Sequence, residues 1–271
     1  MATTTSRLRA GALLLALAGS AAAQGASLLL EDLTSTELSE RIAAGTTTAL
    51  VPIGGTEQNG PHMTLGKHNV RAKLLAQRIA ERLGDAVVAP VVAYVPEGTI
   101  EPPTQHMRYA GTISIPEAAF EATLEATARS LRRHGLSTIV LLGDHGGYRA
   151  SLDRVAARLN REWAGPRGGR VDALPEYYRA ANEGFAAMLK AQGFAAGEIG
   201  LHAGLADTAL MLALDPAQVR MPVATARPRG AAADGVTGDP RRATAELGRP
   251  AVERIVADSV TALRARAGAA K

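Results

Sequence analysis

Cysteine is absent from the 271-residue sequence, which excludes disulfides and a lipid attached through a lipobox cysteine. Aromatic residues make up only 3%, so a core must come from Ala, Val, Leu and Ile, with helices packed closely on a sheet. No Lys/Arg cluster interleaves with aromatics, which argues against a nucleic-acid partner. The pairs Arg132-Arg133 and Arg241-Arg242 read as solvated surface. Downstream of the N-terminus no apolar run reaches the length of a transmembrane helix. What is present is ordinary for a globular protein: 46% hydrophobic and 21% charged residues and a formal net charge of +4. The length suffices for one large core.

The first residues read as an export signal. Arg7 and Arg9 form a positive flank, Ala10 to Ala18 an apolar run, and Ala21-Ala22-Ala23 a small-residue cleavage site before Gln24. The expectation is a signal peptide over residues 1–23 and one domain over 24–271. The mature protein is then periplasmic or secreted, with no membrane contact after cleavage.

Hydrophobic periodicity organises the rest. Thr34 with Glu37 is a capping-box pattern that opens a helix closed by Gly45. Strands are expected at Thr47 to Ile53, Ala86 to Val92, Thr112 to Ile115, Leu136 to Leu142 and Val171 to Leu174. Helices are expected at Asn69 to Leu83, Glu117 to His134, Arg149 to Trp163, Glu176 to Gln192, from about Asp207 through Leu214, and Thr244 to Ala267. Tyr94 to Gly111, rich in Pro and Gly, is a loop too long to be a mere connection. Strands alternating with helices predict an α/β domain with a mainly parallel sheet and helices on both faces.

The chemistry gathers where strands end. Leu50-Val51-Pro52-Ile53 empties into a Gly/Pro-punctuated stretch, Gly54 to Asn69, carrying Glu57, His62 and His68. Leu136 to Leu142 ends in Gly143-Asp144-His145-Gly146-Gly147, again followed by a helix. His106 lies in the long loop, and His202 opens the later Gly200 to Asp207 segment. Five of the six histidines thus fall in Gly-rich loops at strand ends, where α/β proteins place their sites. Only His134, at a helix C-terminus, has an easy structural explanation. Five such imidazoles point to a metal or acid–base site.

These residues carry a resemblance to the creatininase (creatinine amidohydrolase) family. That family has a loop of the form S-T-E-Q-H-G-P-H-L-P-L-G-T-D, a strand end N-G-H-G-G-N and a later H-A-G-E-x-E-T-S. Here the matching stretches are Gly55-Thr56-Glu57-Gln58-Asn59-Gly60-Pro61-His62-Met63-Thr64-Leu65-Gly66-Lys67-His68, then Gly143-Asp144-His145-Gly146-Gly147-Tyr148, then His202-Ala203-Gly204-Leu205-Ala206-Asp207. His106 with Gly111-Thr112-Ile113, and Gly235-Val236-Thr237-Gly238-Asp239-Pro240, resemble two further family segments.

The resemblance implies a three-layer α/β/α sandwich, a small-molecule substrate, assembly as a homo-oligomer such as a hexamer, and divalent metal at the strand ends. By position it makes Glu57, His145 and Asp207 metal ligands. Two family ligands are altered: a histidine is Asn59 here, and a bridging aspartate is His68. Imidazole binds one metal through one nitrogen and cannot bridge as a carboxylate does. Gly147 also stands where creatininase has a carboxylate for a second metal. The expectation is therefore one divalent ion, zinc first and iron or manganese as alternatives, held by Glu57, His68, His145 and Asp207, with Asn59 a remnant of a second site. His202 is the expected proton shuttle, Asp144 the group that fixes an imidazole tautomer, and His106 and Glu101 line the substrate pocket. The reaction expected is hydrolysis of a cyclic amide, lactone or other non-peptide C–N bond. The alternatives are an isomerase or lyase acting beside a carbonyl, and a binding protein that has lost catalysis.

Overall fold

The computed structural model describes residues 27–165, 168–228 and 234–269. The expected signal peptide lies outside the described residues. Strand β1 (Thr48–Ile53) pairs in parallel with β2 (Ala86–Val88) on one side and with β3 (Thr138–Gly143) on the other. β3 pairs in parallel with β4 (Arg170–Ala173), which completes the order β2-β1-β3-β4.

Alternation along the strands assigns each face its helices. Ala49, Val51, Ile53, Ile139 and Leu141 point one way, against Phe120 and Leu124 of α3 (Glu117–Arg133) and Leu152 and Val155 of α4 (Arg149–Glu162). The short α1 (Ser35–Ala43), opened by the Thr34–Glu37 capping box, joins this layer through Leu38 and Ile42. Leu50, Val140 and Leu142 point the other way, against Leu75 and Ile79 of α2 (Lys67–Leu83) and against the C-terminal helix. This second layer also contains α5 (Pro175–Arg179), α6 (Phe185–Ala191), α7 (Ala196–Ile199) and α8 (Leu205–Leu214). After α9 (Met221–Ala226) the chain ends in α10 (Ala245–Ala269), whose Val252 and Ile255 complete the core. Each such buried aliphatic side chain contributes about 1.5–3 kcal/mol. The architecture is the expected α/β sandwich, with the sheet as its middle layer.

Some boundaries differ from the sequence expectation. β2 stops at Val88, because Pro90 has no N–H for the ladder, and Val92 returns only as a single bridge to Ile53. Thr112 to Ile115 is not a strand but one antiparallel bridge, Thr56 to Ile113. The helix expected from Glu176 to Gln192 is interrupted by a π-helical turn, Ala180–Gly184. What matters for the site is register: Ile53 pairs with Gly143, so β1 and β3 end level and their loops emerge side by side.

Candidate metal centre

The two strand-end loops are bolted together by side chains. Asn69, early in α2, accepts the Gly55 N–H at 2.9 Å and donates to Thr56 Oγ1 at 3.2 Å. A Cβ at Gly54 would lie 2.1 Å from Asn69 Oδ1, so only glycine lets the loop pass this close. From the other loop the buried Tyr148 hydroxyl donates to the carbonyls of Ile53 and Gly54, at 2.8 and 2.7 Å. The same oxygen accepts the N–H groups of Asp144 and His145, at 3.2 and 3.1 Å. Glu57 and His145 are thereby fixed to one scaffold although far apart in the chain.

Glu57, Glu97, His106 and His145 each offer one ligand atom, all within 4.8 Å of one another. His106 Nε2 is 3.2 Å and His145 Nε2 3.6 Å from Glu57 Oε2, while His145 Nδ1 is 3.5 Å from Glu97 Oε2. Both glutamates are fully buried. Glu57 Oε2 and both oxygens of Glu97 have no hydrogen-bond partner among the described residues. Buried carboxylate oxygens without donors are costly, and two such groups facing two imidazoles make a fitting cradle for a divalent cation. Burial pushes Glu97 up to about 9, helped by the negative charge of Glu57. Burial lowers His145 to about 3 and also lowers His106, leaving both imidazoles neutral, the form that binds metal.

The other oxygen of Glu57 faces a closed ring of charge. Glu57 Oε1 lies 2.8 Å from His68 Nε2, and His68 Nδ1 lies 2.5 Å from Asp144 Oδ2. Arg71 donates from Nε to Asp144 Oδ2 at 2.8 Å and from Nη1 to Asp207 Oδ1 at 2.7 Å. Lys67 Nζ, 3.1 Å from Asp207 Oδ2 and 3.6 Å from Glu57 Oε1, closes the ring. Tyr177 braces it from below, donating its hydroxyl to Asp144 Oδ1 at 2.7 Å. Burial works against all three carboxylates, but Arg71, with His68 and Tyr177, holds Asp144 at about 2. Lys67 and Arg71 hold Asp207 well below the usual range, and His68 and Lys67 do the same for Glu57.

The chain and its fold have known counterparts. The family model for creatininase, described as creatinine amidohydrolase, matches residues 31–263. The chain belongs to the creatininase family. A mycofactocin precursor peptide peptidase of Mycolicibacterium smegmatis is 33% identical over 233 residues, 78% of this chain and 80% of the relative. A creatinine amidohydrolase of Pseudomonas putida is 30% identical over 194 residues, 70% of this chain and 73% of the relative. Among solved structures, one described as "Creatininase Mn" superposes with a TM-score of 0.73 at 26% identity, over 89% of this chain and 98% of that one. Further creatininase neighbours are described as of Zn-Zn type and as complexed with creatine. This creatininase-family chain is a metal-dependent hydrolase, and its buried cluster is a candidate metal site.

The residues singled out from the creatininase resemblance are redistributed. Glu57 and His145, expected as ligands, sit in the candidate four-residue group, and His106, expected on the pocket wall, lies with them. His68 and Asp207, expected as ligands, stand outside it, because His68 is clasped between Glu57 and Asp144 and Asp207 is neutralised by Lys67 and Arg71. Asp144, expected to fix an imidazole tautomer, has its Oδ2 2.5 Å from His68 Nδ1. Asn59 is a loop strut: its Nδ2 donates to the carbonyls of Glu57 and Thr64, each at 3.0 Å. His62 is buried with its Nε2 3.1 Å from Thr208 Oγ1, and His134 caps α3. Glu101 is exposed on the wall of a cavity of about 520 Å³ that also touches Pro96 and Gly147. His202 Nε2 lies 2.8 Å from the Gln58 carbonyl and its Nδ1 3.7 Å from Glu57 Oε1.

Glu97, Lys67 and Arg71 were not foreseen. Glu97 had no motif around it, although Gly55 carries its trace: with φ at +148°, a Cβ there would meet Glu97 Oε1 at 2.5 Å. Lys67 and Arg71 did leave a signal. α2 opens on Lys67, carries Arg71 in its second turn and has no acidic residue in its first turn, the reverse of what the helix dipole favours. Such a reversal implies carboxylate partners from elsewhere in the fold.

Proposed function

We propose that this hydrolase works with one divalent ion, zinc in the first place, held by Glu57, Glu97, His106 and His145, and cleaves the C–N bond of a cyclic amide or the ester bond of a lactone. The observation that carries this reading is the convergence of those four side chains, with three carboxylate oxygens that have no hydrogen-bond partner among the described residues. When bound there, a divalent ion supplies an activated water near neutral pH and polarises the scissile carbonyl.

The chain's own residues supply the rest. His106 and His145 present neutral rings, and Glu97 gives up its proton on ligation. His202 donates from Nε2 to the Gln58 carbonyl, an acceptor only, so the lone pair of its neutral ring is on Nδ1. Burial lowers this imidazole to about 4, so it accepts a proton only transiently and passes it to the leaving nitrogen. It lines a cavity of about 360 Å³ together with Gly200, Leu201 and Asp207. Asp144 acts through His68 as a positioning residue.

A second substrate class, a peptide amide, is favoured by one feature. The cavity of about 520 Å³ beside Gly147 runs along Pro96, Gly98 and Glu101, with room for more than a small ring. The relative described as a peptide peptidase supports including it. Export to the periplasm or medium remains our reading of residues 1–23, and N-terminal sequencing of the protein from the producing cells tests it.

The functional test pairs metal analysis with a hydrolysis screen over lactams, lactones and peptide amides. About one zinc per chain is expected, lost in Glu57→Ala and Glu97→Ala and retained in His68→Ala. Wild-type protein that binds no metal after supplementation would sink the reading. Turnover of a carbonyl substrate without hydrolysis would favour the isomerase or lyase alternative.

A further inference from the structure

The Glu57 carboxylate has two faces of opposite character. Its Oε2 looks into the candidate four-ligand group, whereas its Oε1 lies 2.8 Å from His68 Nε2 and 3.6 Å from the Lys67 ammonium. Lys67 is no surface lysine: its side chain is 1% exposed, and its strongest contact is Asp207 Oδ2 at 3.1 Å. A buried ammonium is tolerated only where carboxylates surround it. Here the surroundings amount to more than charge balance. Glu57 Oε1 and Asp207 Oδ2 both face the ammonium, and the lone pair on His202 Nδ1 lies 3.7 Å from Glu57 Oε1. Two carboxylate oxygens and a neutral imidazole are a donor set for a divalent ion.

We propose that the Lys67 ammonium is a built-in second cation, standing where Glu57, Asp207 and His202 would otherwise share a divalent ion and so limiting the centre to one metal per chain. This rests on the four-ligand reading of Glu57, Glu97, His106 and His145. The ammonium hydrogen-bonds Asp207 and compensates the charge of Glu57 from 3.6 Å but has no vacant orbital, so it supplies charge without Lewis acidity. Arg71 reinforces the choice from behind Asp207, whose Oδ1 it already occupies at 2.7 Å. A divalent ion entering beside both cations would meet repulsion from each. With Nζ removed, Glu57 Oε1 and Asp207 Oδ2 lose the cation between them, and the His202 Nδ1 lone pair lies 3.7 Å from the first of these oxygens.

The test is bound zinc per folded chain, measured by elemental analysis after equilibrium dialysis against zinc. Wild type is expected to hold one. Lys67→Ala and Lys67→Ser, run in parallel so that one misfolded variant does not end the test, are expected to hold two. Lys67→Met, which fills the volume without the charge, is expected to stay at one. Lys67→Ala/Asp207→Asn is expected to fall back to one. Two zinc ions in wild type, or one in folded Lys67→Ala and Lys67→Ser at saturating zinc, would overturn the proposal. Failure of the underlying reading has a different signature. If wild type holds none yet Lys67→Ala holds one that Asp207→Asn removes, the four-ligand assignment falls and the role of Lys67 stands; none in either overturns both.

Discussion

Glu97 faces Glu57 across the candidate metal site, fully buried, with neither of its own oxygens hydrogen-bonded among the described residues. Two carboxylates so placed need a proton or a cation between them. Glu97→Gln keeps the shape and removes the ligand charge. Zinc affinity measured by calorimetric titration is expected to fall by at least about 100-fold. An unchanged affinity would place the metal elsewhere.

The metal-free protein should show a dome of stability against pH. His62, His145 and His202 have pKa values lowered from 6.5 to about 4, 3 and 4, chiefly by burial. Between pH ~4 and 6.5 the unfolded chain binds more protons at these three, so stability rises with pH. Glu97, raised from 4.5 to about 9, has the opposite sign, because the folded state keeps its proton longer and stability is lost as pH rises towards 9. Three histidines outweigh one glutamate up to pH 6.5, and Glu97 dominates this set above it. The maximum is therefore expected near pH 6.5, with a loss on the order of 3 kcal/mol by pH 9. Denaturation of chelator-treated protein across this range checks the slope, which Glu97→Gln should flatten.

Asp144 joins three partners, His68, Arg71 and Tyr177. Asp144→Asn leaves a buried guanidinium short of charge and is expected to cost about 3–5 kcal/mol. Tyr177→Phe removes a single hydrogen bond to a charged group, an expected loss of about 1.5–3 kcal/mol. Urea denaturation of both variants orders them, and equal losses would show that the ring is not held at Asp144.

His202 is placed to move a proton beside the four candidate ligands, its ring 4.6 Å from that of His106 and its Nδ1 3.7 Å from Glu57 Oε1. His202→Ala is expected to lower turnover by about 10²–10⁴ while leaving bound zinc at the wild-type level. Elemental analysis and steady-state kinetics on one preparation separate the two effects. Zinc lost together with turnover would make His202 a ligand instead.

The α/β architecture was legible because alternation records burial locally. Ala49, Val51 and Ile53 against Leu50 is a pattern that belongs to one strand, and the two faces of the sheet follow from it. The strand–loop–helix order around Glu57 and His145 likewise placed both at strand ends. The family motifs placed His202 close by. Pro90 and the π-helical turn at Ala180–Gly184 blurred boundaries without altering the topology.

Which polar groups meet was another matter. His68 and Asp207 carried the right chemistry for ligands at the right places in the motifs, and Lys67 and Arg71 took both into a salt-bridged ring. Glu97 and His106 came to Glu57 from a long loop whose path no periodicity describes. The chain on its own determined the layers, the parallel sheet and the family, because those depend on short-range patterns of apolar residues and glycine. Only the tertiary structure decided that one side of Glu57 faces a candidate metal site and the other a lysine. Charges compensate through space, and their partners lie on segments that sequence distance does not relate.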